Sequence, residues 1–310
     1  MAKQENYDYI YDVIDEACML LYEEIGINYL DALIRVSKDI LEQIDDTKLD
    51  MDALAKLELI YEKLNDRTFS NEDIRLAYNL LIIKALKHAR LSLDMIIPDS
   101  IGLVFANIIR KYYGDDYINM LEIGAKCANL TNTIANFLEN DITCFAQEDD
   151  LKLAELARLA SNMQDRDIIV YNNKITDPLE VNVDVVIGHL ESKKENDEYI
   201  PYKAIAKLMR YLEEDGLFIF LIDNDFFSYP DLANFRSRFT GTLLGLLILP
   251  ETMFKGTITK SILIGSKKQI NDFEMLVVNM PSFSDAVRLN EEMIRIEDWV
   301  KDLQLIIKEN

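Results

Sequence analysis

Apolar residues return every three or four positions through the first part of the chain. That spacing predicts helices over Tyr9 to Glu24, Tyr29 to Gln43, Met51 to Leu64 and Asn71 to His88, with acids and lysines on the opposite faces. Ser70 followed three residues later by Asp73 reads as an N-cap and a variant of the capping box. The connections between these stretches are short, so the helices form a module that packs against the remainder of the chain.

After Ile96-Ile97-Pro98 the pattern changes to short, nearly continuous apolar runs separated by amphipathic stretches. Asp99 or Ser100 caps a helix through Tyr112. Strands follow at Tyr117 to Ile123, Ile142 to Ala146, Asp167 to Tyr171, Asp184 to Ile187 and Leu217 to Ile222. Helices at Asn129 to Leu138, Leu151 to Met163 and Ile200 to Leu212 lie between them. Apolar strands alternating with helices predict a largely parallel sheet covered on both faces. Leu243 to Leu249 and Thr259 to Ser266 extend the sheet, with a late antiparallel strand, and the tail adds a strand near Glu274 to Val278 and a helix around Ile296 to Lys308. The expected organisation is a helical domain over 1–95 and an α/β domain over 96–310.

Of the 310 residues, 49% are hydrophobic, enough for a substantial core. The charge is −22, from 55 acidic and 33 basic residues. Such a field repels phosphate backbones, so DNA binding is not expected without a segregated basic patch. The short basic groups at Lys84 to Arg90, Arg236 to Arg238 and Lys267 to Lys268 read as solvated edges. Cys18, Cys127 and Cys144 read as buried thiols, and with His88 and His189 the only histidines, no metal site is expected. No run of about 18 apolar residues predicts a membrane span, and the N-terminus lacks the pattern of a signal peptide, so a cytoplasmic location is expected. The amphipathic N-terminal helices leave a protein partner or a homodimer open beside simple internal packing.

Candidate chemistry concentrates in Met120 to Thr131, which has the layout of a strand, a loop and a helix. Glu122 ends the strand and Gly124 follows, but Lys126 and Ala128 stand where glycines would let a nucleotide approach the backbone. The segment reads either as a working nucleotide loop or as a structural turn. Asn129 is a good helix cap, and Lys126 could neutralise a carboxylate or a phosphate. Ala146 stands where a ribose-binding carboxylate is expected after the second strand, and Glu148 is the substitute. An acidic helix start accounts for Glu148 equally well.

Five segments then occur in a telling order: Ile97-Pro-Asp-Ser-Ile-Gly-Leu, Met120-Leu-Glu-Ile-Gly, Asp184-Val-Val-Ile-Gly-His-Leu-Glu, Gly216-Leu-Phe-Ile-Phe-Leu-Ile and Leu249-Pro-Glu-Thr-Met-Phe-Lys. In that order the chain resembles the adenine-specific DNA methyltransferases that act on the exocyclic amine, and with its helical N-terminus it is similar to the modification subunits of bacterial restriction systems. The resemblance implies an α/β class I methyltransferase-like fold with a mixed sheet of seven main strands, and S-adenosylmethionine as the cofactor. It implies that Pro98 covers one side of the cofactor and that the loop from Glu122 through Gly124 to Asn129 holds its methionine end. Glu148 would take the ribose, and Asn172 or Asn173 the adenine. The family's catalytic Asn-Pro-Pro-aromatic sequence falls on His189, Leu190, Glu191 and Ser192, and all four differ. His189 retains a hydrogen-bond acceptor and Leu190 a backbone carbonyl, but Ser192 offers no ring to stack on a flipped base. The resemblance therefore implies a degenerate methyltransferase-like protein with a regulatory or protein-interaction role; the alternatives are an active, divergent enzyme and a nucleic-acid adaptor.

Overall fold

The computed structural model describes residues 5–42, 49–138, 141–254 and 259–309. Gln43, expected to end the second helix, and Lys255, the last residue of the Leu249 segment, lie outside them. Four helices come first: α1 (Asn6–Ile25), α2 (Tyr29–Glu42), α3 (Met51–Glu62) and α4 (Asn71–His88). Gly26 ends α1 in the left-handed conformation that favours glycine. Both halves of the expected capping box are present at α4, with Ser70 and Asp73 satisfying each other's backbone N–H groups.

Then come α5 (Asp99–Tyr113), β1 (Ile118–Ile123), α6 (Asn129–Phe137), β2 (Ile142–Gln147), α7 (Leu151–Asn162), β3 (Ile168–Tyr171) and β4 (Val183–Leu190). The chain continues through β5 (Lys194–Glu195), β6 (Glu198–Tyr199), α8 (Ile200–Leu208), β7 (Leu212–Asp223), α9 (Leu232–Arg238), β8 (Thr242–Ile248), β9 (Lys260–Ser266), β10 (Leu276–Asn279) and α10 (Ala286–Glu309). The main sheet runs β10-β8-β9-β7-β4-β1-β2-β3. It is mixed because β9 alone pairs antiparallel, with β7 on one side and β8 on the other. The tail strand β10 pairs parallel with β8 and makes eight strands rather than seven.

Alternation along each strand sorts the core into two layers. Met120, Val185, Ile187, Ile219 and Ile264 face a cluster completed by α5, α6 and α10. Leu121, Val186, Phe218, Phe220 and Leu263 face the opposite way, against Tyr202, Ile205 and Leu208 of α8 and Phe235 of α9. Gly265 is required where it stands: a Cβ there would lie 2.0 Å from the Phe218 ring. A third cluster holds the helical module together and also takes in Cys127 and, from α7, Leu153, Leu156 and Ala160. The module therefore shares a core with the α/β part, which is why no linker separates them. Buried Arg75 adds a polar staple: its guanidinium donates to both Asp99 oxygens at 3.0 Å, to Glu72 at 2.6 and 2.7 Å and to Thr133 Oγ1 at 3.0 Å, joining α4 to α5 and α6.

Some expected boundaries move. β4 continues to Leu190 because Gly188 to Leu190 pair with Phe220 to Ile222. The helix expected through Leu212 ends at Leu208, and β7 begins at Leu212, which pairs with Val183 ahead of a bulge. The last helix begins at Ala286, ten positions before Ile296. The β5–β6 hairpin and α9 are additional to the elements the pattern predicts.

Candidate functional site

The chain leaves β1 for β2 and β3 on one side and returns to β4 on the other, so the crevice beyond the C-terminal ends of β1 and β4 is the sheet's switch point. The loop after β1 keeps a glycine-loop backbone without the glycines. Gly124, Lys126 and Ala128 all have positive φ, at 65, 52 and 55°. For Lys126 and Ala128 that conformation costs on the order of 1–2 kcal/mol each. The Gly124 and Ala125 N–H groups donate to the Gln147 carbonyl at 2.8 and 3.1 Å, which folds the loop against the end of β2.

The candidate carboxylates are engaged by the chain itself. Glu122 is 2% exposed and accepts from the Thr131 N–H at 3.1 Å and the Thr131 hydroxyl at 2.6 Å. It supplies the side-chain cap of α6 that Ala128, at the N-cap, lacks. Burial pushes its carboxyl up to about 8, against the pull of the two Thr131 hydrogen bonds. Glu148, 1% exposed, accepts from the Lys126 N–H at 2.8 Å through Oε2 and from the Asp150 N–H at 3.0 Å through Oε1. Burial raises its carboxyl too, and the Lys126 ammonium turns toward it to 4.0 Å.

Asn129 holds the segment before α5: its amide donates to the Ile97 carbonyl at 2.7 Å and accepts from the Ile97 N–H at 3.4 Å. Pro98 is exposed at the start of α5. Asn172 donates to the Glu148 and Asp149 carbonyls at 2.9 and 3.3 Å, and the Asn173 Oδ1 is buried without a donor among the described residues. Gln147, fully buried, donates to the Lys174 carbonyl at 2.6 Å and so draws the turn after β3 over the crevice, setting Ile175 beside Gly124. Lys174 then pairs with Glu195 of the hairpin at 2.6 Å. Between them remains a cleft of about 140 Å³, reached by Lys126, Asp149, Lys174, His189 and Glu191. Sites for molecules of cofactor size enclose about 300–1,000 Å³. In this conformation the cleft is smaller than a site of cofactor size, and Glu148, 1% exposed, turns its oxygens to the chain's own N–H groups.

The candidate catalytic positions lie in a strand. His189 pairs with Leu221 and Leu190 with Ile222, and the Leu190 side chain is core. The His189 side chain is 7% exposed, its Nε2 lies 2.9 Å from the Lys260 ammonium, and its Nδ1 lies 3.8 Å from Glu191. Burial first, then Lys260, lowers the imidazole to about 4. A neutral ring that accepts at Nε2 is the consistent form. Lys260 also donates to Asp223 Oδ1 at 2.6 Å, while Asp223 Oδ2 accepts from the Ser192 N–H at 2.8 Å. Burial alone would raise the Asp223 carboxyl, but these bonds outweigh it and hold it below its ordinary value. The Ser192 hydroxyl is 2.5 Å from Asp225 and 2.8 Å from the Tyr199 hydroxyl. The segment where an adenine amine would be oriented is thus bolted to β7 and β9. The sequence reading missed Asp223, Lys260 and Gln147. A carboxylate closing the apolar run of β7 calls for a buried cation, and Lys260 is its cross-strand neighbour.

Burial raises the thiol of Cys127 to about 12 and that of Cys144 to about 11, so neither is a nucleophile near neutral pH. Among the described residues no group of ligands could hold a metal ion, and no helix is long and apolar enough to cross a membrane.

Comparison with known proteins agrees with the fold. Residues 8–86 match the YtxK N-terminal helical domain. The chain is 26% identical to the uncharacterized protein YtxK of Bacillus subtilis (strain 168) over 318 residues, covering 94% of this chain and 97% of YtxK. A candidate class I S-adenosylmethionine-dependent methyltransferase from Listeria monocytogenes superposes with a TM-score of 0.85 at 26% identity, over 96% of this chain and 100% of that one. The modification subunit of a candidate type I restriction enzyme from Vibrio vulnificus YJ016 shares the fold at a TM-score of 0.64 and 13% identity, over 85% of this chain and 65% of that one. The type I restriction-modification methyltransferase subunit from Streptococcus thermophilus does so at 0.61 and 12%, over 94% and 74%. The chain has a class I S-adenosylmethionine-dependent methyltransferase-like fold with an N-terminal helical region, the fold also found in methyltransferase subunits of restriction-modification systems.

Proposed function

We propose that this protein uses a methyltransferase-like fold as an interaction scaffold and no longer transfers methyl groups. The observation that carries the reading is the internal engagement of the cofactor acceptors: both Glu148 oxygens receive backbone N–H groups of the chain, and Glu122 caps α6. A second support is the target-base segment, where His189 is held neutral by burial and Lys260, and Ser192 replaces the stacking aromatic. Isothermal calorimetry with S-adenosylmethionine at millimolar concentration tests the reading. The expected result is no saturable heat; a dissociation constant in the micromolar range overturns it.

One observation favours the second reading, an active divergent S-adenosylmethionine-dependent enzyme. The loop keeps left-handed backbone at Gly124, Lys126 and Ala128 despite its cost. A cofactor that displaced the Lys126 ammonium and the Lys174–Glu195 pair would meet that backbone unchanged. Methyl transfer from labelled S-adenosylmethionine to protein, small-molecule or nucleic-acid substrates would establish this reading in place of the first.

A further inference from the structure

The β5–β6 hairpin divides two concavities. Lys193 and Glu195 face the small cleft, while Lys194 faces a larger groove of about 670 Å³ between α8 and α9, as alternation along a strand requires. The groove carries Lys194, Lys203, Lys207, Arg210 and Arg238. Against these five cations stand only Asp197, Glu198 and Asp231, in a chain whose charge is −22. Lys203 is paired with Glu198. Among the described residues, Lys207, Arg210 and Arg238 have no carboxylate within ion-pair distance, although carboxylates outnumber cations 55 to 33 over the sequence. A groove in which cations outnumber carboxylates five to three on an acidic protein creates a local attractive field for anions.

The shape and the aromatic walls narrow the choice of anion. Lys203 and Lys207 are one turn apart on α8, about 6 Å along its axis. Alternate side chains of an extended peptide repeat at about 6.6–6.8 Å, which matches this spacing. Single-stranded nucleic acid would need open ring faces for its bases. Here Tyr199 is buried and stacked on Tyr229 at 3.8 Å, Tyr202 is buried and stacked on Phe235 at 4.5 Å, and the Lys194 ammonium lies 5.2 Å over the Tyr229 ring. The rings are occupied by one another, so the groove offers cations and an apolar floor without a stacking platform.

We infer that the α8–α9 groove binds an extended acidic peptide segment of a partner protein, with Lys203 and Lys207 meeting alternate carboxylates, Lys203 in exchange for the exposed Glu198, and Arg210 and Arg238 beside them. The inference gives the interaction scaffold its surface and rests on that reading, but the measurement is separate: cofactor calorimetry can fail while peptide binding succeeds, and the reverse.

Fluorescence anisotropy with a labelled octaglutamate peptide at about 50 mM salt tests it. The expected result is saturable binding that weakens with added salt and falls about tenfold or more in Lys207→Glu/Arg210→Glu, while Lys301→Glu on α10 binds like the parent. Absence of saturation overturns the inference, as does binding that the double charge reversal leaves unchanged. Tighter binding of an eight-nucleotide oligothymidylate than of the peptide overturns the assignment to protein. Hydrogen–deuterium exchange on the parent protein locates the peptide without relying on a variant: protection over 199–210 and 231–238 supports the groove, and protection confined elsewhere overturns it.

Discussion

Replacing Glu122 with glutamine tests the most consequential electrostatic assignment in the fold. In the unfolded chain the carboxyl has its ordinary value of 4.5, and in the fold burial raises it to about 8. A raised carboxyl contributes stability that is fully present below 4.5 and is lost as pH climbs to about 8, because the unfolded chain releases its proton earlier. At about 1.4 kcal/mol per unit, the loss across that window is on the order of 5 kcal/mol. The opposing effect, attraction of a carboxylate to the N-terminus of α6, reaches about 2 kcal/mol in favourable settings. Burial therefore wins. Glutamine keeps an oxygen to accept from the Thr131 N–H and hydroxyl and has no proton to lose. Glu122→Gln is expected to match the parent within about 1 kcal/mol at pH 5 and to exceed it by several kcal/mol at pH 8.5. Urea titration can follow the fluorescence of Trp299, the sole tryptophan, which packs beside Gly245 against the core. A stability difference that does not change between the two pH values would mean that Glu122 is ionised in the fold throughout, and the argument from burial would be refuted.

Arg75→Ala leaves Asp99 without its bidentate partner and is expected to cost on the order of 3 kcal/mol, toward the low end for a buried pair because Asp99 and Glu72 reach solvent; urea titration reads the cost, and hydrogen exchange should quicken first at the α4–α5 junction. The ring of His189, depressed to about 4 by burial and Lys260, should show flat NMR shifts from pH 8 down to 5. Its contribution to stability is complete above the ordinary 6.5 and declines as pH falls toward 4, so a midpoint near 6.5 would place the ring in solvent. Lys126→Gly removes a side chain from left-handed backbone and is expected to raise the unfolding free energy by about 0.5–1 kcal/mol after the extra entropy of unfolded glycine is counted. A loss of stability in that variant would show that the ammonium beside Glu148 is worth more than the relieved strain.

The main elements were legible because their burial writes a period into the chain. From Leu217 to Ile222 β7 is an unbroken apolar run with a strand on either side, and the α4 cap is spelled by Ser70 and Asp73. The start of β7 was hidden, since Glu213, Glu214 and Asp215 interrupt the run and only pairing of Leu212 with Val183 makes it strand. The first turns of α10 were hidden because Val287 and Ile294, 70% and 50% exposed, do not form a core stripe. The β5–β6 hairpin has two-residue strands; its turn at Asn196 and Asp197, both with positive φ, is a recognised hairpin signal that the short flanks obscured. At the site, the sequence showed which glycines and aromatics were replaced. It could not show that Gln147 draws the turn over the crevice or that Glu148 spends both oxygens on the backbone, because those partners lie across the sheet ends.

The shared core of the helical module and α7 has a consequence during synthesis. Helices α1 to α4 leave the ribosome first, but Leu153, Leu156 and Ala160, which complete their packing, emerge only after β1, α6 and β2. At about 5–20 residues per second the wait lasts several seconds. Throughout it the apolar patch of α2 that α7 covers stays open to water and to other chains, so chaperone demand should peak before α7 emerges and fall once it docks.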